Sequence, residues 1–131
     1  MTTNENNYTC KITETSREFT AREKIIIKDT SNANKIDELV NGSEGGKYRL
    51  TVADYAVLAV HNDNADNPDY NIYVLLDETG NKYITSSNAF WRAFEEFADE
   101  IFGSGEKCSI EIFKKESKKY KGKFFLTCSL V

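Results

Sequence analysis

Between Lys107 and Lys123 the chain carries seven lysines and two glutamates, a local charge of +5. Aromatic residues are interleaved with these cations, notably Phe113, Tyr120 and Phe125. Ammonium groups beside flat apolar rings suit one chemistry above others. The rings stack on nucleobases while the cations neutralise phosphates along the same strand. A lysine run taken by itself fits a solvated hairpin tip equally well. The aromatics are what favour a ligand.

Catalytic chemistry finds less to work with. The single histidine, His61, stands at a strand end beside Asn62 and Asp63, where a polar residue needs no catalytic reason. Cys10, Cys108 and Cys128 lack metal-ligand spacing, and no GxxxxGK[ST] or GxGxxG loop occurs. Asp63, Asp66 and Asp69 superficially resemble a cation loop, but the glycine and terminal glutamate of a calcium loop are missing. The expectation is therefore a protein that is not an enzyme and uses no cofactor or metal.

The whole chain has 131 residues, a length that suits one domain. Apolar residues make up 40% and charged residues 29%, enough for a real core. The net charge of −4 would by itself argue against nucleic acid. That average hides a partition: with +5 between Lys107 and Lys123, the remainder carries −9, the difference between −4 and +5. Ala93 to Glu106 holds Glu95, Glu96, Asp99, Glu100 and Glu106 with no base. No apolar run suits a membrane span, and the polar start is unlike a signal peptide. Three unpaired-looking cysteines fit a reducing cytoplasm, and no membrane partner is expected.

Residues 1–18 are polar and are expected to form a flexible arm, with residues 19–131 as the folded domain. Ile25-Ile26-Ile27 is β-branched and short, which suits one strand better than a helix. Asn34 to Val40 fits a helical turn or a short strand, and NGSEGG (41–46) is a loop. Tyr48–His61, Asn71–Leu76 and Tyr83–Thr85 predict three strands, the last two joined through DETGNK as a hairpin. Ser86, Ser87 and Asn88 are N-cap candidates for a helix from Ala89 to Phe102, with Phe90, Phe94, Phe97 and Ile101 on one face. Gly103 and Gly105 end it. Cys108–Lys114 and Phe124–Val131 complete a mainly β chain with one helix. The order β-β-β-α-β-β is that of the OB-fold, a five-stranded Greek-key barrel, here with an N-terminal extension.

Period-two alternation then assigns faces. With Ile110, Ile112, Leu126, Cys128 and Leu130 inward, Phe113, Phe125 and Thr127 face out. With Ile72, Val74, Leu76 and Ile84 inward, Tyr73, Tyr83 and Thr85 face out. The stacking candidates are Tyr73, Tyr83, Phe113, Tyr120 and Phe125. The phosphate-binding candidates are Lys82, Lys114, Lys115, Lys118, Lys119, Lys121 and Lys123.

Four segments carry a family resemblance: 20–38, 53–62, 77–94 and 114–130. The strongest matches are the turn and strand with Asp77, Gly80, Lys82, Tyr83, Thr85 and Ser87, and the ending with Ser117, Lys118, Tyr120, Lys121, Gly122, Lys123, Phe125, Thr127, Cys128 and Ser129. Over residues 20–131 the chain resembles the small single-stranded-DNA-binding proteins of phages and conjugative plasmids of Gram-positive bacteria, the PrgE-like proteins among them. The resemblance implies an OB-fold that coats single-stranded DNA with little sequence preference during conjugation or phage DNA replication and recombination. Unlike general bacterial single-stranded-DNA-binding proteins, the chain ends without an acidic tail. The polar arm is then the natural candidate for self-association along the DNA. Two other expectations fit the same pattern, a protein-interaction module of a mobile element and an RNA-binding OB protein.

Overall fold

The structure, a computed structural model, describes residues 8–131. The chain runs β1 (Tyr8–Thr15), α1 (Ala21–Lys28), β2 (Asn34–Lys35), α2 (Ile36–Gly42), a 3-10 turn (Glu44–Gly46), β3 (Lys47–Val52), β4 (Asp54–Asn62), β5 (Asp69–Leu76), β6 (Lys82–Thr85), α3 (Asn88–Ser104), β7 (Cys108–Glu116) and β8 (Phe124–Leu130). One sheet has the order β1-β4-β5-β6-β2 and the other β3-β7-β8, and both are open. Every pairing is antiparallel except the two-residue β2–β6 contact. Only Ala53 separates β3 from β4, and its N–H donates to Leu76 O at 2.7 Å. One long apolar stretch thus passes from the first sheet into the second. Among the described residues, no helix is long and apolar enough to cross a membrane.

The mainly β class stands, but the described residues form eight strands and three α-helices rather than five and one. Two of the additional strands and both additional helices lie before Lys47, and the third additional strand arises where Ala53 divides the expected Tyr48–His61 strand into β3 and β4. Ile25–Ile27 belongs to a helix because its start is fixed by a reciprocal cap: Thr20 Oγ1 accepts from Glu23 N, and Glu23 Oε1 accepts from Thr20 N. Hydrogen bonding to Arg17 and then to the Thr20 backbone holds the Glu23 carboxyl at about 2. Only Ile27 is buried there, and Ile25 and Ile26 face solvent. The cap outweighs the β preference of three isoleucines. Asn34–Val40 turns out to be both of the forms that its sequence allowed, a short strand running into α2.

The expected arm is corrected in part. Tyr8–Thr15 is a strand laid along β4, from Tyr8↔Asn62 to Thr15↔Ala56, with a bulge between Ile12 and Glu14. An edge strand of this kind needs few apolar residues, and Cys10 and Ile12 suffice to seat it. The part of the arm in residues 1–7 lies outside the described residues.

Two apolar clusters lie on opposite faces of the five-stranded sheet. The larger joins that sheet to the second sheet and α3, through Tyr55, Val57, Tyr73, Leu75, Tyr83, Phe90, Trp91, Phe94, Ile110 and Ile112 among others. The smaller lies under Phe19 and Ile27 and takes in Ala56, Leu58, Val60 and Val74. Alternation predicts two faces but not which is wet, and here both are covered. Val74 is buried as expected, but Tyr73, Tyr83 and Thr85, expected outward, are buried too. Tyr73 and Tyr83 enter the larger cluster, while Val74, Ile72, Leu76 and Ile84 belong to the other.

Helix α3 follows its sequence pattern closely. Ser87 Oγ accepts from Phe90 N at 3.1 Å as N-cap, and Gly105 closes the other end at φ 79°, a conformation that favours glycine. Phe90 and Phe94 have no exposure, and Phe97 and Ile101 border the same cluster.

Candidate nucleic-acid interface

The hairpin of β7 and β8 is built from paired rows. Ile112 lies opposite Cys128, Phe113 opposite Thr127, Lys114 opposite Leu126, Lys115 opposite Phe125 and Glu116 opposite Phe124. Opposed residues in an antiparallel pair share a face. Ile110, Ile112, Leu126 and Cys128 are buried, which sends Phe113, Thr127, Lys115 and Phe125 to the outer side. Phe113 is half-buried, Phe125 is 37% exposed and Tyr120 60% exposed. Leu130, expected inward, is 42% exposed on the edge strand β8, although its partner Ile110 is buried.

The turn is held by its own short polar residues. Ser117 Oγ accepts from the backbone N–H groups of Lys119 and Tyr120. Gly122 sits at φ 81° and donates its N–H to Glu116 Oε2. Lys114, Lys115, Lys118, Lys119, Lys121 and Lys123 are exposed, and among the described residues no carboxylate lies within ion-pair distance of any of them. The Lys119 ammonium lies over the Tyr120 ring, 5.7 Å from its centre. On neighbouring β3, Lys47 and Arg49 both pair with Glu111 and are thereby partly neutralised. Between the hairpin and α3 runs a groove of about 450 Å³. Ala93, Glu96 and Phe97 form one wall, Phe113 and Lys115 the other, with Thr127 between.

Phe124 is 62% exposed at the turn end of the hairpin and escaped the sequence pattern. Alternation puts it on the inner face, but the core ends one row earlier, at Leu126 opposite Lys114. The signal available was the approach of that strand to a charged turn.

Three expected site residues fall elsewhere. Tyr73 stacks on Trp91, ring centres 4.7 Å apart and planes 7° from parallel, and donates from its hydroxyl to Asn88 Oδ1. Its face is already occupied. Tyr83 is 6% exposed and donates to Asp77 Oδ2, and burial is the main cause that raises its phenol. Lys82 directs its ammonium to the carbonyls of Ile26 and Asp29, so it caps the end of α1 instead of meeting phosphate. Unsatisfied helix-end carbonyls and the negative end of the helix dipole draw a cation there.

The motif around Asp77 is thus structural throughout. Asp77 accepts from Thr79, Asn81 and Tyr83. Burial opposes its charge, yet these hydrogen bonds hold the carboxyl at about 2. Gly80 takes φ 88°, Thr85 donates to Asp37, and Ser87 caps α3.

His61 is clamped between carboxylates, Nδ1 at 2.6 Å from Asp69 and Nε2 at 2.7 Å from Asp63. Only the imidazolium donates from both nitrogens. The Asp69 contact, then the Asp63 contact, raises its pKa above the ordinary 6.5. Because the folded value lies above the unfolded one, the stabilisation is complete below the unfolded pKa and is lost as pH rises through the folded value. An NMR titration of His61 is expected to show a midpoint above 6.5, which Asp69→Asn lowers. A midpoint unmoved by that substitution would contradict the clamp.

Cys10, Cys108 and Cys128 are free thiols, and burial raises Cys108 to about 11 and Cys128 to about 12. Cys108 and Cys128 are buried in the core, where the thiolate form is disfavoured, while Cys10 is partly exposed.

Comparison with protein-family models, with curated proteins and with solved structures finds no match to this chain.

Proposed function

We propose that the chain is a non-enzymatic cytoplasmic protein that coats single-stranded DNA, with little sequence preference, in plasmid conjugation or phage DNA processing. The observation that carries this reading is the β7–β8 hairpin. It presents Phe113, Tyr120 and Phe125 beside six lysines that have no carboxylate partner among the described residues. Aromatic rings and unpaired cations gathered on one hairpin are what a single strand requires, since every base has a π face and every phosphate a charge. The stacking set is Phe113, Tyr120 and Phe125, with Phe124 exposed on the other face of the same hairpin. Lys114, Lys115, Lys118, Lys119, Lys121 and Lys123 line the path of the phosphates.

The finer fold assignment belongs to the same proposal. Taking β3 and β4 as one bent strand, residues 47–131 run β-β-β-α-β-β. That strand pairs with both β5 and β7, β5 with β6, and β7 with β8. This connectivity supports an OB-like arrangement with α1, α2 and β1 added before it. Self-association along the DNA is part of the proposal too, with residues 1–7 and the outer edge of β1 as its candidate surfaces.

Alanine at Phe113 or Phe125 is expected to weaken binding to an oligo-dT by about 1–3 kcal/mol each, the usual worth of a base–aromatic stack. Fluorescence anisotropy with a labelled oligomer reads the loss. Thermal unfolding of Phe125→Ala should stay near wild type, because the ring is partly in solvent. Undiminished affinity in both variants would remove the stacking surface from the reading.

A further inference from the structure

The groove between α3 and the hairpin has walls of opposite charge. Lys115 stands on the sheet side next to Phe113, and Glu96 stands on the helix side next to Phe97. Glu96 is exposed, and among the described residues no cation lies within ion-pair distance of it. A phosphate backbone is repelled by that wall and attracted to the other. For a strand in the groove the lysine side is then the favourable one for phosphates, which would leave a base lying against Phe113 between that side and the wall that carries Glu96.

We infer that Glu96 reads the base edge and favours bases bearing an exocyclic amine over thymine. A carboxylate only accepts hydrogen bonds. Cytosine offers its N4 amine at an outer corner of the ring, as adenine does with N6, and carboxylates accept from such amines. Thymine's one ring donor, N3–H, lies between two carbonyl oxygens that repel the same carboxylate. Thr127 does not discriminate, since its hydroxyl both donates and accepts. The inference rests on the strand-binding reading of this face and adds a modest base preference to it.

The test compares labelled dC, dT and dU oligomers of equal length, bound to the full chain at one salt concentration and near pH 7.5. Wild type is expected to bind dC about three- to tenfold more tightly than dT, the net worth of one ordinary hydrogen bond, to which solvent reduces an exposed charged one, with dU resembling dT. Glu96→Ala should bring the dC/dT ratio close to one, raising affinity for dT and dU through loss of a negative charge while dC loses its hydrogen bond. Glu100→Ala removes a charge from the same helix away from the groove and should preserve the ratio. Equal dC and dT affinities in wild type, or a ratio unchanged by Glu96→Ala, overturn the inference and leave strand binding intact. A dU affinity equal to dC overturns it as well, because exclusion of the thymine methyl would then explain the preference. Failure to bind any of the three strands defeats the strand-binding reading itself.

Discussion

Replacing Lys118, Lys119, Lys121 and Lys123 together with glutamine is expected to lower affinity for single-stranded DNA by roughly two orders of magnitude at 0.1 M salt. Each phosphate neutralised on a single strand contributes a slope of about −0.7 in log K against log salt. Relative to 1 M salt, four lost contacts at 0.1 M are therefore worth at most about 2.8 decades, and partial contact brings the figure down. The salt dependence should flatten along with the affinity. Folding should be untouched, because none of the four side chains is ion-paired among the described residues and the turn is held by Ser117, Gly122 and Glu116. Lys107→Gln is the matched control. Lys107 lies at the start of the same stretch but pairs with Glu78 at 3.3 Å, away from the turn. A quadruple variant with wild-type affinity and salt slope would show that the turn does not meet the strand.

Phe94→Ala is expected to destabilise the fold by about 3–5 kcal/mol, the cost of emptying a buried aromatic site. Phe94 has no exposure and meets four other rings, with centres between 5.1 and 6.1 Å away: Trp91, Tyr55, Phe97 and Phe90. These rings fill the space that joins α3 to both sheets. Against a typical total of about 5–15 kcal/mol, the loss is a large share. Urea unfolding measures it directly. A loss below about 1 kcal/mol would mean that α3 does not anchor the core.

Where a segment has one wet face, its amino acids were readable without coordinates. The phenylalanines of α3 repeat at helical spacing, the acids lie opposite, and a serine and a glycine bound the helix, as found. The β7–β8 hairpin was legible for the same reason: its alternation separates buried Ile110 and Ile112 from Phe113 and Lys115. The pattern fails where both faces are covered. NIYVLL offers two apolar sets, and nothing local says that Tyr73 goes beneath α3 while Val74 goes beneath α1. Lys82 was misplaced for a related reason. Its partners are carbonyls of Ile26 and Asp29, more than fifty residues away, in a helix created by a cap that three isoleucines concealed. β1 is a third case, since a strand that borrows its order from β4 needs little apolar character of its own.

These corrections concentrate the candidate site. Tyr73, Tyr83 and Lys82 leave it, Phe124 joins it, and what remains lies on one hairpin. An acidic chain can hold a polyanion if its bases are gathered there and its acids lie mostly elsewhere. On the proposed reading, net charge sets a limit on affinity and the hairpin sets where the strand lies.

The central claim is tested most directly by titrating the unmodified chain against a labelled oligo-dT and a duplex of equal length across a series of salt concentrations. The expected result is saturable binding that prefers the single strand, with log K falling linearly in log salt by about 0.7 for each phosphate engaged. No association with the single strand, association indifferent to salt, or equal affinity for the duplex would contradict it.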